Sequence, residues 1–84
     1  MEEKIISILA EVAGVPAESI GVDTRLIADL GLSSFDVADA AVMVEQEYGI
    51  RIPDERFQEM ETVADVLRIA VEVSGSWNLQ RYQG

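Results

Sequence analysis

The chain has 84 residues, with sixteen acidic and six basic side chains, a formal net charge of −10, and neither cysteine nor histidine. That length holds one domain, not two. The missing residue types exclude disulfide staples, thiolate metal sites and a histidine general base, and the charge excludes nucleic acid and anionic membranes as partners, since both need cationic patches.

Ile5, Ile8, Leu9 and Val12 recur at the spacing of one helical face, which predicts a first helix over about 2–13. Gly14 fits its stop and Pro16 bars continuation. Residues 14–33 mix Gly14, Pro16, Gly21, Asp23, Thr24, Asp29 and Gly31 with isolated apolar residues. They read as one long loop, with Val15, Ile20, Leu26, Ile27 and Leu30 expected to pin it to the core. A loop this long in a small domain is unusual and often functional.

Val37, Ala40, Ala41, Val44 and Tyr48 form the stripe of a second helix over about 34–48, ended by Gly49. Ser33 is its candidate N-cap, with Asp36 three residues on completing an approximate capping box. Pro53 opens a short third helix at about 54–60, with Asp54 and Glu55 suited to its first turn. Thr62 caps a fourth helix, along which Val63, Val66, Leu67, Ala70 and Val71 repeat until Gly75 stops it. The expectation is an all-α bundle of four helices over 1–75, followed by a tail over 76–84. The tail is polar apart from Trp77, Leu79 and Tyr82, and Trp77 is either a clamp on the core or part of a disordered end.

Met1-Glu2-Glu3-Lys4 is not a signal-peptide start, and the apolar stretches are too short for a membrane span. A cytoplasmic monomer is therefore expected. No catalytic residue and no metal site is expected either. The spacing of the acids does not fit a calcium loop, and Asp36 and Asp39 sit three apart on a helix face expected to be solvated. Ser34 differs from the rest because it lies in the first turn of the second helix. A helix N-terminus offers unpaired N–H groups and a partial positive charge, which favour an attached or bound phosphate. Taken alone, Ser33 and Ser34 could equally be plain capping residues.

Asp29-Leu30-Gly31-Leu32-Ser33-Ser34-Phe35-Asp36 resembles the attachment motif of acyl carrier proteins, D-L-G-x-D-S-L-D. Tyr48-Gly49-Ile50-Arg51-Ile52-Pro53-Asp54-Glu55 resembles that family's F-G-I-x-I-P-D-E segment, and Thr62-Val63-Ala64-Asp65-Val66 its T-V-G-D-A/V segment. Together with Asp23-Thr24-Arg25-Leu26, the resemblance covers about 1–73. It implies a fold of acyl-carrier type with a long loop between helices I and II. It also implies a 4'-phosphopantetheine arm, taken from coenzyme A by a phosphopantetheinyl transferase and attached to Ser34. Thioester carriage needs a thiol, which this chain lacks and the arm would supply. One departure stands beside the site: Ser33 occupies the place of the usual Asp, which leaves a second, less favoured hydroxyl.

Residues 33–61 hold eight acids against Arg51 and Arg56, which concentrates −6 of the charge around the arm. The resemblance implies that this face docks onto the basic patches of acyl-loading and acyl-using enzymes. The contacts carried over by position are Asp36, Asp39, Glu45, Asp54 and Glu55, with Ile52 as an apolar contact. Phe35, Ala38 and Val42 fall off the core stripe beside Ser34, where charge would steer and apolar contact hold. Arg51 and Arg56 interrupt the acidic surface and are expected to narrow the choice of partners. Ala40 and Ala41 are small, which allows close helix packing or leaves room for an acyl chain. The functional expectation is a carrier for fatty-acid or related polyketide or lipid biosynthesis. The alternatives are an aminoacyl or peptidyl carrier, and an unmodified acidic adaptor of the same fold.

Overall fold

In the computed structural model the backbone is described for residues 1–83 and the side chains for residues 1–75. The three α-helices are α1 (Glu2–Ala13), α2 (Ser34–Tyr48) and α3 (Val63–Gln83). Two 3-10 segments lie between them, a single turn at Ala17–Ser19 and a longer helix at Asp54–Glu59. The expected all-α architecture is borne out. The third helix is shorter and tighter than an α-helix, as befits a segment that buries no side chain of its own.

Ile5, Ile8 and Leu9 of α1 are buried as the periodicity predicts, and so are Val37, Ala40, Ala41 and Val44 of α2. Tyr48 is half-buried, and its hydroxyl donates to the Met1 carbonyl at 3.3 Å. Burial together with the nearby Glu47 charge pushes its phenol up from the usual value. On α3, Val63, Val66 and Ala70 are buried and Leu67 is half-buried, but Val71 is 58% exposed. Ile69, outside the predicted stripe, is fully buried in its place. The helix runs through Gly75 to Gln83, past the predicted stop. Gly75 costs a helix about 1 kcal/mol relative to alanine, which is too little to end one that is otherwise favourable. The reading of Trp77 lies outside the described side chains.

The 14–33 connection is folded onto the start of α3. Leu26 N–H donates to the Glu61 carbonyl at 2.9 Å, Val63 N–H to Thr24 at 3.0 Å and Ala64 N–H to Val22 at 2.9 Å. These bonds flank a single antiparallel bridge between Arg25 and Thr62. Ile20, Leu26 and Leu32 are buried, while Val15 and Leu30 are half-buried. From Arg25 the chain makes a compact turn, with the N–H groups of Asp29 and Leu30 both donating to the Arg25 carbonyl at 3.1 Å. Gly31 closes that turn at φ 70, a left-handed conformation that side chains with a Cβ disfavour. The turn delivers the chain to Ser33 in extended conformation, ready to open α2.

Candidate functional site

Ser33 and Ser34 are neighbours with different occupations. Ser33 is the N-cap of α2, where its Oγ accepts from Asp36 N–H at 3.1 Å and its own N–H donates to the Asp36 carboxylate at 3.0 Å. Both halves of the capping box are therefore made. Ser34 is the first residue of the helix, exposed, and its hydroxyl has no hydrogen-bond partner among the described residues. The first-turn N–H groups at this end have no intrahelical acceptor, and they add a partial positive charge beside the Ser34 oxygen. A phosphate esterified there would meet donors and no carboxylate of its own turn except Asp36, which is engaged by the cap.

A cleft of about 210 Å³ opens beside this hydroxyl, lined by Ile27, Ser34, Val37, Phe57, Gln58 and Met60. A second, of about 230 Å³, is lined by Arg25, Ile27, Ala28, Met60 and Glu61, so Ile27 and Met60 border both. Ile27 was expected as a core anchor; it is instead 56% exposed and forms a wall of the site. Leu26 takes the inward position, and the turn that follows points its neighbour outward. The roles of Phe57, Gln58 and Met60 carried no sequence signal, because only the fold brings the 3-10 helix beside Ser34.

Phe35 is 81% exposed beside Ser34, and Val42 lies exposed farther along α2. Asp39, Asp54 and Glu55 are also exposed, while Asp36 and Glu45 are half-buried and already bonded. Glu45 accepts from Ile52 N–H at 2.6 Å, which ties α2 to the segment before the 3-10 helix. Glu45 and Asp54 line one cleft. Ile52 corrects an expectation: at 2% exposure it packs in the core, and only its edge borders the cleft it shares with Glu45 and Asp54. The two buried residues Ile50 and Ile52 anchor that segment and leave Arg51 facing out.

Charges on the 3-10 helix and α3 form a network. Arg56 reaches Glu59 and Glu72, each at 2.8 Å, and Arg68 approaches Asp65 at 3.4 Å, Glu72 at 3.5 Å and Glu59 at 3.6 Å. Hydrogen bonding to Arg56 holds the Glu72 carboxyl below its usual range. Asp65 closes a second capping box with Thr62 at the head of α3. Burial alone would push its carboxyl up, but the N–H groups of Thr62 and Glu61, with Arg68 and the Thr62 hydroxyl, hold it down. Among the described residues no three of His, Cys, Asp and Glu are grouped to hold a metal ion, and no helix is long and apolar enough to cross a membrane.

Residues 3–70 match a family model described as the phosphopantetheine attachment site. The chain is 33% identical over 75 residues to an acyl carrier protein from Akkermansia muciniphila, covering 89% of this chain and 94% of that one. It is 35% identical over 72 residues to an acyl carrier protein from Rickettsia bellii, covering 86% and 84% of the two chains. Among solved structures it is similar to an acyl carrier protein from Thermotoga maritima, at a TM-score of 0.75 and 27% identity, over 90% of this chain and 94% of that one. A doublet acyl carrier protein from prodigiosin biosynthesis matches at a TM-score of 0.74 and 21% identity, which shows the fold alone. That match covers 84% of this chain and 34% of the doublet.

Proposed function

The chain belongs to the phosphopantetheine-attachment family of acyl carrier proteins, and we propose that Ser34 is its attachment residue and that its cargo belongs to fatty-acid or related lipid or polyketide biosynthesis. As a family member it is a non-catalytic carrier, and the group it carries is 4'-phosphopantetheine. That group supplies the thiol, absent from the chain itself, on which cargo is held as a thioester.

The observation that carries the Ser34 assignment is the division of labour between two hydroxyls. Ser33 Oγ is committed to the N–H of Asp36, while Ser34 is exposed at the first position of α2 with no hydrogen-bond partner among the described residues. With no histidine in the chain, the base that takes the Ser34 proton comes from the transferase. The serine oxygen then bonds to phosphorus, and the nucleotide half of coenzyme A departs. The names of the similar chains from Akkermansia and Rickettsia favour an acyl over an aminoacyl cargo, and the fatty-acid-like reading rests on the excess of acids and on the Ile52-Pro53-Asp54-Glu55 segment. In this reading Phe35, Asp36, Asp39, Val42, Glu45, Asp54 and Glu55 frame the docking face, and the protein works as a cytoplasmic monomer.

The test is co-expression with a broad-specificity phosphopantetheinyl transferase, followed by intact mass spectrometry of the wild type, Ser34→Ala and Ser33→Ala. A single pantetheine adduct on the wild type and Ser33→Ala, absent from Ser34→Ala, is expected. An adduct that persists on Ser34→Ala moves the site to Ser33, and no adduct on the wild type favours the unmodified adaptor.

A further inference from the structure

Two arginines interrupt the acidic face, and the structure treats them differently. Arg56 is neutralised in place by Glu59 and Glu72, each at 2.8 Å. Arg51 is exposed, and among the described residues the ion pairs engage Lys4, Arg56 and Arg68 but not Arg51.

The mount of Arg51 is rigid. Ile50 and Ile52 on either side of it are buried, and their N–H groups are both held by Glu45, one by its carbonyl at 3.1 Å and the other by its carboxylate at 2.6 Å. Glu45 is thereby engaged, so its capacity to neutralise Arg51 is reduced. Arg51 borders two surface clefts, one of about 340 Å³ shared with Glu45 and Asp54 and one of about 320 Å³ shared with Arg56 and Glu72. A cation on an anchored backbone, unpaired among the described residues, thus stands inside a segment that is otherwise strongly acidic.

Building on the carrier reading above, we infer that Arg51 is a specificity-determining residue of the docking face. It selects partner proteins whose basic patch contains a carboxylate opposite it. An acidic face draws basic partners over long range. At contact, a lysine or arginine placed against Arg51 is a like-charge juxtaposition that weakens the wrong complex, while a carboxylate there relieves it. Arg56, already paired, makes no such distinction.

The probe is a purified carrier-dependent condensing enzyme chosen for a docking face that bears only basic side chains, together with a series of single Lys→Glu variants of that face. Binding of the unmodified carrier is measured by fluorescence anisotropy for the wild type, Arg51→Glu, Arg51→Lys and Lys4→Glu. Arg51→Glu should bind the all-basic enzyme about three- to tenfold tighter than wild type, and Arg51→Lys about as the wild type does. Lys4→Glu makes the same change of net charge on α1, where the pair it breaks with Glu47 is long, at 3.9 Å, and exposed, and it should shift binding by less than about twofold. One Lys→Glu enzyme variant should reverse the order, binding wild type more tightly than Arg51→Glu. The inference is overturned if Arg51→Glu gains nothing, if Lys4→Glu gains as much, if no enzyme variant reverses the order, or if no carrier variant binds. Because binding is read on the unmodified chain, this result is separate from the pantetheine adduct that tests the carrier reading.

Discussion

The Ser33 Oγ lies 3.1 Å from the Asp36 nitrogen, and the Asp36 carboxylate lies 3.0 Å from the Ser33 nitrogen. This reciprocal pair starts α2 and frees Ser34 from capping. Ser33→Ala removes one half of it, and loss of an N-cap costs about 1 kcal/mol. In a domain of this size that corresponds to a fall in melting temperature of about 4–8 °C. Ser33→Asp, which restores a capping acceptor, should recover most of the loss in a circular-dichroism melt. Ser34→Ala should melt within about 0.5 kcal/mol of wild type, because its hydroxyl is exposed and bonds to nothing described.

The core of α3 offers a second contrast. Ile69 is fully buried and Val71 is 58% exposed. Ile69→Ala should destabilise the domain by about 2–5 kcal/mol, a large share of the marginal stability of a small domain. Val71→Ala should fall within about 0.5 kcal/mol of wild type. Urea denaturation of both variants checks the pair, and equal costs would contradict this packing.

Most of the helices were legible in the sequence because caps and periodicity are local. Gly14 and Gly49 end α1 and α2 where expected, Ser33 caps α2 as its spacing to Asp36 predicted, and Thr62 caps α3 as expected, with Asp65 as the partner the structure adds. What failed was the choice between apolar neighbours. Leu26 and Ile27 look alike in sequence, as do Ile69 and Val71, and only the packing decides which turns inward. The cleft beside Ser34 was illegible for a related reason. Its walls come from Ile27, Val37 and the segment from Phe57 to Met60, which only the tertiary fold brings together. Ile52 misled because its motif suggested a contact, whereas the alternation of buried Ile50 and Ile52 around exposed Arg51 places it in the core.

The 3-10 helix at Asp54–Glu59 contributes no fully buried side chain and is held to α3 by the Arg56–Glu72 pair at 2.8 Å. Its attachment should therefore depend on charge more than that of α1 or α2 does. Arg56→Ala should speed amide exchange across residues 54–60 while leaving the buried turns of α1 unchanged. Raising the salt should move the wild type in the same direction, since exposed pairs are screened. Hydrogen exchange read by mass spectrometry checks both, and uniform acceleration across the chain would mean global destabilisation instead.

Asp65 links stability to pH. Its folded-state value lies below the ordinary 3.8, so its contribution is complete above that value and is lost as the pH falls through the lower one. Asp65→Ala should cost about 1 kcal/mol at about pH 7 through the lost cap of α3. Once the pH has fallen below that lowered folded-state value the wild type and the variant should converge, because the carboxyl that distinguishes them is then protonated. Chemical denaturation at a series of pH values measures the gap. A gap that stays constant into acid would show that the carboxylate charge plays no part.

Electrostatic steering is best tested at Asp39. Asp36 is the more obvious choice, being closer to Ser34, but Asp36→Lys would break the capping box and confound docking with folding. Asp39 is exposed on α2 and makes no hydrogen bond or ion pair among the described residues. Its reversal therefore changes the field of the docking face and leaves the helix start intact. Asp39→Lys should lower kcat/KM for transferase modification about three- to tenfold at low salt, with a melting temperature close to that of wild type. Added salt should slow the wild type and narrow the gap, because attraction between exposed charges weakens as the screening length shortens from about 30 Å at 0.01 M to about 8 Å at 0.15 M. A rate indifferent to both the substitution and the salt would remove charge from the docking step and leave apolar contact at Phe35 and Val42 to account for recognition.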